Sequence, residues 1–519
     1  GSKAGSVVPS STSDITIQFD SYSFGGYRPF IATTGALDWK SASASFLFGV
    51  HTDWFTWNQN GQTMRSFTLG KTGNAAYLLI DKAITAAGPI NMYGGAIKIN
   101  AALTSSDTGD IFLKSIRTGG TSIINNSTIT KSGGTGVLTM QGNARVINYG
   151  TITTSGTGVM DVIMWSDFDN TNNDGGVSQF GTISTNGGHV WLGGSNTNGG
   201  SYTWNGLPVG NGPSIGSNGY NGYAMDFWGN ITTNGGDVLA WAENGVSGLK
   251  GIYTDNDGCD VNTGSGDLIF IADQVWGTAG NSIVHTGTGK VYLLPDGGSY
   301  GTTLDWEHNN NLAELNIGGI YHYLYIKNST SLTGLNLGYY DQMSDSQGPV
   351  ILTNTSPVTI SSPNTIAGPI SIYGGAIALN ANFATSNNLT GNILIKGTSL
   401  TGTGNLTLAN TRNVNIDIAA TSTYDGLISG TQASFTKAGA GLLTLQKDHT
   451  YTGATLITRG NLQVGSGGSV SQASSGTINS TSSVTIDSSA KLILAPNEDI
   501  TFSRPVSGVG GLEIKGASG

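Results

Sequence analysis

A single cysteine, Cys259, occurs in 519 residues, so no intramolecular disulfide can staple the chain. One thiol suits either a reducing compartment or a long exported protein that crosses membranes unfolded. No histidine or cation adjoins Cys259 in sequence to favour its thiolate, so it reads as a buried residue without chemistry of its own. Charge is scarce as well. Charged residues make up 10%, Lys and Arg number 22, and the formal net charge is −10. Phosphate neutralisation supplies most nucleic-acid affinity, so the lack of a basic patch argues against DNA or RNA as partner. It also leaves little attraction to anionic lipid. No apolar run approaches the roughly 18 residues of a membrane helix, so the sequence offers no direct membrane insertion. Capped helical periodicity is missing too. The best stretch, 81–87, runs into Gly88 and Pro89 and reads as strand and turn.

Glycine is abundant, at 80 residues, without the period of collagen. High glycine alone would point to disorder, yet short β-branched runs recur throughout, at 14–17, 391–395 and 483–486. Disordered chains lack such runs. The composition fits many short strands joined by tight turns.

Internal repetition carries most of the information, at two scales. The run 88–103 (Gly-Pro-Ile-Asn-Met-Tyr-Gly-Gly-Ala-Ile-Lys-Ile-Asn-Ala-Ala-Leu) returns at 368–383 with ten of sixteen positions identical. Two copies of one module are expected, over 35–304 and, shorter, 305–420. A finer unit recurs from Ile152, Ile183, Ile231, Val261 and Val284: a short strand, a Gly-containing corner, then a second apolar strand. These starts lie 31, 48, 30 and 23 residues apart. A four-residue strand cannot bury its apolar face alone. Coils stacked about 4.8 Å apart would pair every strand above and below and merge the inward side chains into one core. Thr-Asn-Gly-Gly at 185–188 and 233–236 is corner chemistry, because Asn and Gly tolerate positive φ. The predicted fold is an all-β, elongated, right-handed parallel β-helix of about 20 coils.

These runs resemble the large bacterial adhesins related to filamentous haemagglutinin, in which a segment like Gly-Pro-Ile-x-x-Tyr-Gly-Gly-x-Ile recurs between β-helical stretches. Coverage runs from about 35 to 400. Over 421–519 the chain is similar to the autotransporter-associated β-strand repeat, through 435–445 (Phe-Thr-Lys-Ala-Gly-Ala-Gly-Leu-Leu-Thr-Leu), 451–455 and 460–465. A second copy opens at Phe502 and is cut short. The resemblance implies a passenger or stalk at the bacterial cell surface, and supplies no catalytic residues. Residues 1–6 read as an expression scar, and 7–34 as an early coil, a cap or a small β-structure. The whole reads as a fragment of a larger exported protein.

Candidate chemistry is thin. Asp167, Asp169 and Asp174 in one loop, and Asp255, Asp257 and Asp260 in another, could supply some of the six to eight oxygens of a calcium site. Turn propensity explains the same residues. Asp237, Asp260 and Asp267 in neighbouring units could pair as in polysaccharide-cleaving β-helices. However, the slot of Asp237 and Asp267 also takes His189 and Lys290, which marks it as solvated. The six histidines show no zinc-ligand spacing. Aromatics gather mid-module: Trp191, Trp204, Tyr220, Tyr223, Trp228, Trp241 and Trp276. Flat apolar faces bind sugars, and the first five of these are the ligand-binding candidates. Internal stacking is the competing explanation. The insertion 193–230 is expected to leave the rod as a loop and carry recognition. The reading is a monomeric, non-enzymatic adhesin segment outside a Gram-negative cell. Its expected partner is a host or neighbouring-cell surface, a glycan or a matrix component. The alternative is a polysaccharide-degrading enzyme.

Overall fold

The computed structural model describes residues 12–21, 30–57, 63–171, 175–216, 223–243, 251–254, 259–272, 285–293, 369–386, 391–467, 476–496 and 500–515, with backbone alone for the short strands at 275–277, 283–284 and between 294 and 366. Contacts divide the chain into two units, Gly1–Thr288 with Ser344–Gly348, and Gly289–Met343 with Pro349–Gly519. Each is a parallel β-solenoid. Together they make about 16 turns, fewer than expected, because several turns are lengthened by insertions. The only helical element among the described residues is one 3-10 turn, Thr52–Trp54. No helix there is long and apolar enough to cross a membrane.

In the first unit each turn visits three sheets in order. Ile90–Gly94 lies in the first, Ile97–Ile99 in the second and Leu103–Ser105 in the third. The next turn repeats the path through Ile111–Ser115, Thr121–Asn125 and Thr128–Lys131. Register keeps like on like. Leu37, Phe67, Ile90, Ile111, Leu138, Val162, Val190, Val238 and Leu268 stack as one column of the first sheet. None of them is more than 1% exposed. The second sheet stacks Leu78, Ile97, Ile123, Val146, Val177, Met225 and Ile252 in the same way. Each such side chain contributes about 1.5–3 kcal/mol on burial, so the core grows coil by coil.

The opening segment joins this scheme. Ile15–Gln18 pairs in parallel with Ala36–Lys40, so it is an early coil, with Phe19 packed near Trp39 and Phe46. The stretch 81–87 yields the strand Ile84–Ala86 as anticipated. In the Thr-Asn-Gly-Gly corners, Asn186, Gly187, Asn234 and Gly235 all have positive φ.

The second unit reuses the pattern of the first. Ile370, Ile372, Ile377, Leu379 and Phe383 are buried, as are Ile90, Met92, Ile97, Ile99 and Leu103 at the matching positions of the 88–103 run. Ile393–Thr401, Asn413–Ile418, Ser434–Ala438, Thr455–Ile457 and Val484–Ile486 then stack in register.

Candidate functional site

The second sheet ends, turn after turn, on one motif: an aromatic residue followed by glycine. Tyr149-Gly150, Phe180-Gly181 and Trp228-Gly229 occupy equivalent corners. The glycines allow close approach. A Cβ on Gly181 would lie 1.8 Å from the Gly150 carbonyl oxygen, and one on Gly229 would lie 1.6 Å from that of Gly181. Only glycine lets these corners stack.

The aromatic residues therefore stand above one another. Tyr149 and Phe180 stack with centroids 4.9 Å apart and planes 14° apart, and Trp228 meets Phe180 edge-on at 4.8 Å. Tyr253 continues the column 6.2 Å from Trp228, and Tyr223 lies flat on Tyr253 at 4.0 Å and 6°. Tyr149 is 45% exposed and the other four are half-buried. Beneath them runs a buried amide ladder. Asn125 Nδ2 donates to Asn148 Oδ1 at 2.8 Å, Asn148 Nδ2 to Gln179 Oε1 at 3.1 Å, and Gln179 Nε2 to the Gly181 carbonyl at 2.7 Å. The ladder satisfies each amide and fixes the corners on which the rings sit.

Of the five aromatic candidates, Tyr223 and Trp228 belong to this column, and Tyr220 lies outside the described residues. Trp191 and Trp204 do not fit the expected role. They are 0% and 2% exposed, so neither offers a face to a ligand. The cause is the insertion itself. Ser201–Trp204 and Leu207–Gly210 form an antiparallel hairpin through Asn205-Gly206, both at positive φ, the preferred chemistry of a two-residue turn. Instead of leaving the solenoid, this hairpin folds over the outer surface of the first sheet. Trp204 packs edge-on to His189, and Asn205 Nδ2 donates to Asp237 Oδ2 at 2.6 Å.

The corner slot shared by acids and histidine also has a structural task. Asp161 Oδ1 accepts the His189 backbone N–H at 2.7 Å, His189 Nδ1 accepts that of Asp237 at 2.9 Å, and Asp237 Oδ1 accepts that of Asp267 at 2.7 Å. The side chains of Asp161, His189 and Asp237 each tie their corner to the next coil. Asp260 is exposed, and its backbone N–H donates to Asn230 Oδ1 at 3.0 Å.

The acidic loops are only partly described. Asp167 is buried at φ 47°, and Asp169 Oδ2 accepts from Asn143 Nδ2 at 3.0 Å. Asp174, Asp255 and Asp257 lie outside the described residues. Cys259 is buried, donates to the Gly229 carbonyl at 3.0 Å, and has its thiol pKa pushed up by burial. A further polar group lies inside the flank of the second sheet. Arg145 pairs with Asp226, and Ser178 Oγ bridges them, donating to Asp226 Oδ2 at 2.9 Å. Burial raises the Asp226 pKa against the pull of Arg145.

In the second unit, the stretch 435–464 forms four strands around Phe435, Leu443, Tyr451, Ile457 and Leu462, all at most 1% exposed. Lys437 is wholly buried, and its Nζ donates to the carbonyls of Ala438, Gly439 and Arg459 at 2.6, 2.9 and 3.2 Å. Burial lowers its pKa to about 8, opposed by Asp417. This same stretch matches the family model of the passenger-associated transport repeat, over residues 435–464. No curated protein and no solved structure matches the chain. The repeat and the solenoid together fit an autotransporter-like passenger, and passengers of that kind are secreted or displayed at the cell surface.

Proposed function

We propose that the chain is a non-enzymatic stretch of a bacterial surface adhesin, a solenoid that carries an attachment surface for a glycan on a cell or in a matrix. The observation that supports it most is the column Tyr149, Phe180, Trp228 and Tyr253, partly exposed aromatic rings repeated once per coil. Sugar C–H groups pack on exposed apolar ring surface of this kind. Solenoid spacing offers a polymer one aromatic contact per coil of about 4.8 Å. A core stacked for strength alone has no need of aromatics at a solvent-facing corner. The filamentous-haemagglutinin kinship belongs to this reading, as does the expectation of a monomer.

A glycan and matrix array probed with the whole chain tests the proposal. Saturable binding to a polysaccharide is expected, falling about tenfold or more in Trp228→Ala. Trp191→Ala should instead lower thermal stability and leave affinity nearly unchanged. Shortened glycan chains after incubation would replace the adhesin with a polysaccharide-degrading enzyme. Absence of binding on every array would leave a mechanical spacer.

A further inference from the structure

Near the start of the first unit, consecutive coils bring Asp81 against two side chains, His51 and Asp53, that lie about thirty residues before it in sequence. His51, Asp53 and Asp81 are all half-buried, and one potential ligand atom from each lies within 4.8 Å of the others. We propose that they form a binding site for one divalent transition-metal ion of the zinc class, bridging two coils.

The chemistry of the donors selects the ion. One imidazole nitrogen and two carboxylates, with water completing the shell, is a zinc-type set. Calcium requires six to eight oxygens and gains little from an imidazole. The distances suit a small ion. Ligand atoms of a tetrahedral zinc site stand about 3.3 Å apart, given metal–ligand bonds of about 2.0–2.2 Å. His51 Nδ1 and Asp81 Oδ2 are 3.5 Å apart. An Asp53 carboxylate oxygen lies within 4.8 Å of both and completes the set.

The surroundings hold two of the ligands in place. The His51 ring stacks on the Trp54 indole at 4.7 Å and 24°, which fixes its plane. Asp81 Oδ1 accepts the Asp53 backbone N–H at 2.7 Å and the Thr52 hydroxyl at 3.1 Å. That leaves Oδ2 turned toward His51. Thr52 is fully buried, and its Oγ1 accepts the N–H groups of Asp81 and Lys82 at 3.0 Å each. Hydrogen-bonded support of this kind orders metal ligands.

The position gives the ion a task. Val50–His51 is only two residues long and is the edge strand of the second sheet among the described residues, paired solely with Leu78–Ile80. An edge strand this short has one neighbour instead of two, so its pairing opens readily. An ion shared by His51 and Asp81 would clamp that coil to the next.

Calorimetric titration of the metal-stripped full chain with zinc chloride tests the site. One ion per chain, micromolar or tighter, is expected, with a higher melting temperature in its presence. His51→Ala should abolish both effects. His189→Ala, which removes a second His–Asp pair, at 3.6 Å from Asp237, should leave them intact. Asp53→Asn keeps the size and shape of the side chain: far-UV dichroism should match that of the parent chain while zinc affinity drops about tenfold or more. X-ray absorption should show nitrogen and oxygen ligands without sulfur. Stoichiometry unchanged by His51→Ala, or no saturable binding up to about 1 mM, would overturn the proposal.

Discussion

At the scale of the residue, the corner glycines carry a constraint that composition hides. Gly150, Gly181 and Gly229 matter for the carbonyl each would strike and not for a left-handed backbone, since none has a positive φ. Gly181→Ala places a Cβ 1.8 Å from the Gly150 oxygen. The coils must part or the corner must twist, at a cost of about 1–3 kcal/mol. Gly49→Ala meets nothing closer than 3.5 Å and should be nearly neutral. Thermal melts of the two variants make the comparison, and equal stability would refute the packing argument. Sequence already held this signal. The runs 149–153, 180–184 and 228–232 each read aromatic, Gly, Thr or Asn, Ile, then Thr or Ser. The unit that is plain from the isoleucine onward thus begins three residues earlier, at the aromatic.

At the scale of the element, the hairpin Ser201–Gly210 behaves as a cover. Alternation along Val190–Gly193 directs Val190 inward and Trp191 outward, since Val190 continues the core column. An outward tryptophan normally meets water, but here the hairpin shields it. Gly206→Val forces a β-branched residue to φ 80°, which is strongly unfavourable. The expected result is a red shift of tryptophan emission and easier quenching, as Trp191 and Trp204 become wet, while far-UV dichroism stays nearly constant. Loss of the whole β signal instead would mean that the hairpin is integral to the solenoid. Single-strand periodicity could not reveal this, because burial of an outward face depends on what another segment lays over it.

At the scale of the whole units, stability is approximately a sum over neighbouring coils, so one perturbed contact acts locally. His449 is 1% exposed, and its Nδ1 accepts the Ile428 backbone N–H at 3.0 Å. Burial lowers its pKa to about 4, against a smaller opposing effect of Asp448. Between pH 6.5 and 4 the unfolded chain binds the proton and the folded unit does not. Stability of the second unit therefore falls as pH drops through that window, by up to about 3 kcal/mol. His449→Gln keeps an acceptor and does not titrate, so its melting temperature should lose that part of the acid dependence. An identical pH profile for both proteins would show that the histidine is not the cause.

The sequence alone determined the all-β solenoid. Short apolar strands can bury their faces only by stacking, and the spacing of isoleucines and corner glycines gives the stack its period. The passenger repeat was equally legible, because order and spacing of 435–464 lie along the chain itself. Tertiary structure decided what sits beside what between coils. It laid a hairpin over the outward Trp191, raised Tyr149, Phe180 and Trp228 into a column, and set His51 against Asp81. Such neighbours are one turn apart, and turn length varies with every insertion, so linear spacing does not encode them.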